Sequence, residues 1–312
     1  MLDRHRPAAS TVTTLMNRRS EGERVLSMRD DVNRFLTGYL VWSGKAQGTR
    51  DGYLIDISQF MDFMEGKYDG QIETSEVSRQ DIEDFLTYLK TCHHLAPASI
   101  CRKLAALKSF FTYATDHGLT AVNPAGSIRS PRRPQRLPIY LTSGEIDRLA
   151  AGAANDTIRA VIWTLYYSGM RVGEVVNLVL GDVDFATNLI TIRQAKGGKE
   201  RVVPLNTKLA AILQAYLEHT RAKVRSCAFF ATKSGKISTH YIANCIDRAA
   251  KVAGLQKKVS PHTLRHSFAT GLYQRGVGLQ EIATLLGHAS LQTTTIYTHL
   301  SPWQLSRAVE LL

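Results

Sequence analysis

The chain has 312 residues, 44% of them hydrophobic, and a formal net charge of +12. This length accommodates two domains of ordinary size, and the hydrophobic fraction excludes a disordered tail. The charge predicts a polyanionic partner, either a nucleic acid or an acidic membrane surface. No apolar run approaches the roughly 18 residues that span a bilayer, and the sequence shows neither a secretory signal nor a C-x-x-C pair. We therefore expect a soluble, cytoplasmic protein with reduced cysteines.

Residues 1–23 are mostly polar, and we predict a loose N-terminus. Four amphipathic patterns with helical spacing follow between residues 24 and 118, with no strand signal among them. Ser78 and Asp81 have the spacing of a capping box at the start of the third pattern, and Gly118 closes the fourth. This third of the chain is therefore predicted to be a small all-helical bundle.

Three basic residues, Arg102, Lys103 and Lys108, lie off the apolar stripe of the fourth predicted helix. Basic side chains on an exposed helix face are most often simply solvated. They also suit contact with DNA phosphates or approach to the major groove. The residues alone leave both interpretations open.

Residues 119–138 break the helical pattern. Four prolines exclude a continuous helix here: Pro124, Pro131, Pro134 and Pro138. Four arginines lie among them: Arg129, Arg132, Arg133 and Arg136. We interpret the segment as a basic, extended linker between two domains. It is either a solvated spacer or a segment that lies across a duplex and releases counterions, and we favour the second interpretation.

Residues 139–312 are predicted to form a second, mostly helical domain, which Thr142 and Glu145 open with another capping-box spacing. Further along, Arg171 lies at the junction of two helical patterns, which is a rigid position for a cation. An isolated arginine near a helix end more often forms a surface ion pair. Glu174 lies three residues further on and has the right spacing to orient the guanidinium group.

A β-hairpin is predicted next, with strands around Ile190 and Val203 and the sequence Lys196-Gly197-Gly198-Lys199 at its tip. Two glycines permit a tight turn that brings a lysine close to a backbone phosphate. The glycine spacing and the residue after the lysine differ from those of a P-loop. Without further support, a solvated hairpin tip is the default interpretation.

Reactive side chains concentrate between residues 260 and 299. A helix that starts at a proline puts His262 and Arg265 on one face. His288 follows a helix predicted to end at a glycine, and Tyr297 comes nine residues later. Cationic and neutral donors around a phenol suit an anionic electrophile such as a phosphate.

Each of these residues, taken alone, is more often a packed core or interface residue. A metal site is a further alternative, because His262 and His266 are four residues apart. Thr263 occupies the position of the glutamate in a zinc-protease helix. We therefore predict no metal site.

Several of these elements together resemble the tyrosine recombinase (phage integrase) family, and its Xer-type branch in particular. The resemblance rests on His262-x-x-Arg265, on Leu285-Leu286-Gly287-His288 and on Tyr297. Residues 167–174 match the first arginine motif of the family, and the segment up to Asn123-Pro124 looks like its core-binding domain. The resemblance implies a mainly α (α+β) fold. A helical-bundle core-binding domain would be joined by the basic linker to a mostly helical catalytic domain with a small β-hairpin.

The resemblance also implies a catalytic set, consisting of Arg171, Lys196, His262, Arg265, His288 and Tyr297. Tyr297 would attack a phosphodiester and form a 3′-phosphotyrosyl intermediate. The two arginines and His288 would stabilise the growing negative charge. His262 would transfer a proton at the phenol, and Lys196 would protonate the departing 5′ hydroxyl. No metal, ATP or other cofactor is required.

The implied partner is a double-stranded DNA recombination site, bound by a homotetramer alone or with a second recombinase, and not a membrane. The residues expected to contact DNA are Arg102, Lys103, Lys108, Arg132, Arg133, Lys199 and Arg201. Two alternatives use the same features: a noncatalytic DNA-binding regulator and a type IB topoisomerase. All six catalytic positions are filled, which argues against a noncatalytic DNA binder. The N-terminal bundle and the Xer-like motifs favour a recombinase over a topoisomerase, which would use the same chemistry.

Overall fold

The computed structural model describes residues 27–131, 138–193, 200–221, 225–232 and 235–287. The chain divides into two compact units, Met1–Gln135 and Arg136–Leu312. Helices dominate the described part of both units, and the strands are few and short, which confirms the predicted mainly α fold. No helix in the described ranges is both long and apolar enough to cross a membrane. The predicted loose N-terminus, residues 1–23, lies outside the described residues.

The first unit contains five α-helices among its described residues. They are α1 (Met28–Arg34), α2 (Leu40–Trp42), α3 (Gln47–Tyr68), α4 (Arg79–Thr91) and α5 (Pro97–Asp116). A π-helical turn, Phe35–Tyr39, joins α1 to α2, so these three segments make up the first predicted amphipathic pattern. The predicted capping box opens α4: the backbone N–H of Ser78 donates to Oδ2 of Asp81 at 2.9 Å, and that of Asp81 donates to Oγ of Ser78 at 3.2 Å.

Aromatic side chains fill the core of this unit. The fully buried phenylalanines are Phe35, Phe60, Phe85, Phe110 and Phe111. Burying each one contributes about 1.5–3 kcal/mol relative to an exposed side chain. Ala125 and Ile128, which follow α5, are buried in the same core. The first part of the predicted linker therefore packs into the N-terminal unit.

The position of Lys103 contradicts the prediction that its side chain contacts DNA. Its side chain is only 6% exposed, and its Nζ donates to Oδ1 of Asp56, a fully buried residue of α3, at 2.8 Å. A buried carboxylate without a cation is strongly destabilising, so this pair belongs to the core. Arg102 donates to the other oxygen of Asp56 but remains 52% exposed, and Lys108 is partly exposed with its Nζ near the carbonyl of Gly126. Lys103 therefore does not face outward with Arg102 and Lys108 as predicted.

The second unit contains seven α-helices among its described residues. They are α6 (Ser143–Ala151), α7 (Asp156–Ser168), α8 (Val172–Asn177), α9 (Thr207–Ala215), α10 (Thr239–Val252), α11 (Pro261–Gln274) and α12 (Leu279–Leu286). The second predicted capping box opens α6, where the backbone N–H of Thr142 donates to Glu145 at 2.8 Å. The apolar face of α7 is fully buried and contacts α6, α9, α10 and α11. The C-terminal end of α7 therefore lies in the middle of this unit.

The predicted hairpin is present, with strands β2 (Leu189–Ile192) and β3 (Arg201–Pro204). They pair antiparallel, with Ile192 opposite Arg201, and β1 (Val183–Asp184) adds a third strand beside β2. The tip, residues 194–199, lies outside the described residues.

A second small sheet pairs β4 (Ala231–Thr232) with β5 (Gly235–Lys236). The strand predicted over residues 228–231 is therefore only partly correct. Its last residue begins β4, whereas Ala228 forms an isolated bridge to Val179.

Candidate active site

The start of α11 is shaped by Ser260 and Pro261. Ser260 is the N-cap residue and exchanges hydrogen bonds with Thr263, and Pro261 occupies the first turn, where no N–H donor is needed. This start places His262 and Arg265 one helical turn apart, as the sequence predicted.

The guanidinium group of Arg265 joins the ends of two other helices. Its NH1 donates to the carbonyl of Gly169, after α7, and its NH2 to the carbonyl of Leu286, at the end of α12, both at 2.6 Å. The residue is 5% exposed. Arg265 is thus a buried cation held in a fixed orientation by the backbone.

Arg171 is the N-cap residue of α8, two residues beyond Gly169. Its NH1 donates to Oε1 of Glu174 at 2.9 Å, and its backbone N–H donates to Oε2 at 2.8 Å. Its NH2 lies 3.4 Å from the carbonyl oxygen of Gly287. Glu174 therefore holds Arg171 in the way that its spacing predicted.

Arg201 departs from its predicted role. It was expected to contact phosphate, but its NH1 and NH2 donate to the two oxygens of Glu174, each at 2.8 Å. Its Nε donates to the carbonyl of Leu285 at 3.2 Å, and the side chain is only 11% exposed. Since all three nitrogens have partners within the protein, this arrangement does not present Arg201 to a phosphate.

The C-terminal end of α12 organises these cations. The carbonyl groups of residues 285–287 accept hydrogen bonds, in chain order, from Arg201, Arg265 and Arg171. The last carbonyls of a helix have no partner within the helix and carry partial negative charge, so they attract cations. Three guanidinium groups and the single carboxylate of Glu174 leave two positive charges in excess. This cluster is built to receive an anion.

His262 lies at the solvent-exposed edge of the cluster. Partial burial of the ring lowers the pKa of His262, and the positive charges of Arg265 and Arg171 lower it further. The ring is therefore mostly neutral at pH 7 and able to accept a proton. The pKa of His266 is lowered by burial, and electrostatic repulsion from His262 in its protonated form and from Arg265 lowers it further.

Glu174 remains ionised although it is almost fully buried. Burial by itself would raise the pKa of its carboxyl group, but hydrogen bonds from Arg201 and Arg171 outweigh that effect and lower the pKa to about 2. The carboxylate therefore keeps its charge throughout the neutral pH range.

This lowered pKa predicts a pH-dependent contribution to stability. Since the pKa in the folded protein lies below the ordinary 4.5, the contribution of Glu174 is fully present above about pH 4.5 and declines as the pH falls towards 2. We expect the difference in unfolding free energy between the native protein and Glu174→Gln to shrink below that pH, by at most about 1.4 kcal/mol per pH unit. Urea unfolding at pH 7, 5, 4 and 3 measures it.

The exposed Glu218 provides the control, because Glu218→Gln should show no comparable change over this range. A difference for Glu174→Gln that stays constant from pH 7 to pH 3 would contradict the account of its ion pairs.

Gly169, whose carbonyl oxygen binds Arg265, must be glycine for two reasons. Its φ is +62°, and an added Cβ would lie 2.4 Å from Cδ1 of Phe268 and 3.0 Å from Cδ2 of Leu286. We expect Gly169→Ala to lower the unfolding free energy by about 2–5 kcal/mol, from roughly 1–2 for the left-handed backbone and roughly 1–3 for overpacking. Urea unfolding at pH 7 measures this loss.

Gly254 is the matched control. Its φ is +65°, but nothing lies within 4 Å of an added Cβ. Gly254→Ala should therefore show only the backbone cost of about 1–2 kcal/mol. Equal losses in the two variants would show that the contact with Phe268 does not constrain this turn.

The described residues thus bring together three of the six predicted catalytic residues: Arg171, His262 and Arg265. Several other predicted site residues lie outside the described residues: Lys196, His288 and Tyr297 of the catalytic set, and Arg132, Arg133 and Lys199 of the predicted DNA contacts. In the sequence, His288 directly follows the last of the three carbonyls that bind arginine.

Comparison with known proteins identifies the family. Residues 140–303 match the model of the phage integrase family, and residues 29–120 match the phage integrase N-terminal SAM-like domain. A tyrosine recombinase of Thermosipho africanus is 33% identical over 294 residues, which cover 91% of this chain and all of the relative. Tyrosine recombinase XerC of Herpetosiphon aurantiacus is 36% identical over 285 residues, covering 88% of this chain and 92% of the relative.

Among solved structures, the XerH site-specific recombinase bound to palindromic difH substrate shares the fold. The TM-score is 0.67 at 24% identity, over 84% of this chain and 79% of that chain. The chain therefore belongs to the phage integrase family, as its motifs predicted. It is a site-specific tyrosine recombinase of the Xer-like type, an enzyme that cuts and rejoins DNA strands.

Proposed function

We propose that this recombinase joins to DNA through Tyr297 and that Arg171 and Arg265, at the end of α12, bind the scissile phosphate. The convergence of Arg171 and Arg265 on consecutive carbonyls supports this proposal most directly. A phosphodiester carries one negative charge, and attack by a phenolate adds a second in the transition state. Two excess positive charges in a partly buried site match that transition state.

The reaction then proceeds as follows. The phenol oxygen of Tyr297 attacks the phosphorus atom, and His262, neutral at pH 7, accepts the phenolic proton. The bond from phosphorus to the 5′ oxygen breaks, and Lys196 donates a proton to that oxygen. His288 donates a further hydrogen bond to a non-bridging oxygen. Because the phosphotyrosyl bond conserves the energy of the phosphodiester, rejoining is the reverse reaction and needs neither ATP nor a cofactor.

DNA contacts outside the active site come from the remaining basic residues. The N-terminal unit provides Arg102, which is half exposed, and Lys108, which is partly exposed. The linker provides Arg132 and Arg133, and the hairpin tip provides Lys199. Each contact with a phosphate releases counterions and makes binding dependent on salt.

The proposed assembly is a homotetramer on two DNA sites, alone or with a second recombinase, in the cytoplasm. The segment after Tyr297 carries four large apolar side chains, Trp303, Leu305, Val309 and Leu312. Docking of this segment on a neighbouring protomer would connect the four active sites. In this proposal, residues 24–118 form the core-binding domain and residues 139–312 the catalytic domain.

A trapping experiment tests the proposal. The probe is a duplex built from half-sites that the protein itself selects from random-sequence DNA. The duplex carries a nick, so that the short fragment released by cleavage diffuses away. We expect a covalent protein–DNA adduct, and mass spectrometry should place the nucleotide on the peptide that contains Tyr297. Specific binding without an adduct would instead indicate a noncatalytic regulator. Relaxation of supercoiled DNA that lacks the selected site would indicate a type IB topoisomerase.

A further inference from the structure

Glu174 is shared by two arginines in a nearly symmetrical way. Its Oε1 accepts from NH1 of Arg171 at 2.9 Å and from NH1 of Arg201 at 2.8 Å. Its Oε2 accepts from the backbone N–H of Arg171 and from NH2 of Arg201, both at 2.8 Å. Since Arg201 binds both oxygens through its side chain, it fixes the plane of the carboxylate. Arg171 then binds a carboxylate that is already oriented.

Arg201 also lies between α8 and the end of α12. A Cβ added to Gly287 would be 2.9 Å from Cδ of Arg201, so the two residues are in direct contact. The carbonyl of Gly287 accepts from NH2 of Arg171, and the carbonyl of Leu285, two residues earlier, accepts from Nε of Arg201. Displacement of Arg201 would therefore disturb both sets of contacts that hold Arg171.

We propose that Arg201 is a positioning residue for DNA cleavage, which holds Arg171 at the scissile phosphate through Glu174 and through the end of α12, without itself touching DNA. This inference rests on the proposed role of Arg171 at the phosphate. The inference assigns to Arg201 a different role from that of a phosphate contact. The planar guanidinium group is essential to this role, because only such a fork of donors binds both carboxylate oxygens and a carbonyl at once.

Arg201→Lys is the most informative variant. The ammonium group keeps a positive charge beside Glu174, so the protein should still fold, but it cannot reproduce the bidentate geometry. We expect adduct formation on the selected nicked duplex to slow by about tenfold or more, the effect of losing one charge-assisted hydrogen bond. Arg201→Gln, which also removes the charge, should be slower still.

A second substrate separates positioning from a general structural role. In a duplex with a methylphosphonate at the scissile position, one non-bridging oxygen is replaced by a methyl group, so the phosphorus centre starts neutral and its transition state carries one negative charge instead of two. We expect Arg201→Lys to cleave this substrate at a rate within about threefold of the native protein, because the single negative charge of this transition state can be stabilised by Arg265 and depends much less on Arg171. In an Arg171→Ala background, Arg201→Lys should cause little additional loss on the ordinary substrate, since both changes remove the same interaction.

The inference would be overturned if Arg201→Lys lost cleavage activity equally on the two substrates. It would also be overturned if Arg201→Lys and Arg201→Gln both misfolded and cleaved neither substrate. An unchanged rate on the ordinary substrate, or losses that add fully to those of Arg171→Ala, would overturn it as well. A different result would contradict the proposed role of Arg171 at the phosphate, on which this inference rests. In that case Arg171→Ala would cleave the ordinary substrate at a near-native rate.

Discussion

Replacement of Tyr297 by phenylalanine is expected to abolish the covalent adduct while specific DNA binding remains. Phenylalanine keeps the aromatic ring and removes only the hydroxyl oxygen that attacks phosphorus in the proposed mechanism. A tyrosine phenol has an ordinary pKa of about 10, so the attacking oxygen needs a base and a stabilised transition state. The measurement is trapping on the selected nicked duplex, with binding followed by gel shift.

The control is Tyr241→Phe, which removes the hydroxyl group of a 42% exposed tyrosine on α10. This variant should form the adduct at the native rate. If the adduct persists in Tyr297→Phe, another residue is the nucleophile, and the proposed chemistry is wrong at its first step.

Arg265→Ala is expected to reduce the rate of cleavage by on the order of 10²-fold or more, the usual result of removing one preorganised donor from an oxyanion site. The guanidinium is buried and held by carbonyls of Gly169 and Leu286, so its charge acts at close range and needs no reorganisation. The rate is measured as adduct formation in a single turnover with enzyme in excess.

The Arg265→Ala experiment needs a correction for lost stability and a control variant. The substitution leaves two backbone carbonyls without their donor, which costs about 1–3 kcal/mol of stability for each buried group. Rates must therefore be compared at a temperature at which melting curves show both proteins folded. Arg275→Ala is the control. Arg275 directly follows α11, is exposed, and donates from NH1 to the carbonyl of Gly271 in that helix. A near-native rate for Arg265→Ala would remove Arg265 from the site.

Local rules explain why much of this site could be predicted. Pro261 and the capping residues define where α11 begins, so the relative positions of His262 and Arg265 follow from helical spacing. The end of α12 follows from Gly287, which adopts the left-handed conformation with φ +64°. The contact of Glu174 with Arg171 is likewise local, because the two residues are three positions apart. In each case the interacting groups lie within one helical turn of each other.

The two incorrect predictions about basic site residues both involve a distant carboxylate. Lys103 pairs with Asp56, 47 residues away, and Arg201 pairs with Glu174, 27 residues away. A helical or strand pattern places a basic residue on a polar face, but it does not indicate a buried acid on a neighbouring element. A buried carboxylate recruits a cation because desolvation makes an unpaired charge costly. Such pairs become visible only when the tertiary arrangement is known.

The role of the α12 carbonyls could not be predicted for the same reason. Leu285, Leu286 and Gly287 have no polar side chains, so their sequence predicts packing and a helix end. Their proposed importance for catalysis lies in backbone oxygens, which every residue possesses. Only the approach of arginines from α8, β3 and α11 gives these oxygens a function.

The central claim is that Arg171, Arg265 and Tyr297 meet around one scissile phosphate. A crystal structure of the protein trapped on its nicked DNA site tests this most directly. The account predicts a phosphotyrosyl bond at Tyr297, with both guanidinium groups within hydrogen-bond distance of the non-bridging oxygens and Arg201 still bound to Glu174. A covalent complex in which Arg171 and Arg265 lie in pockets away from that phosphate would contradict it.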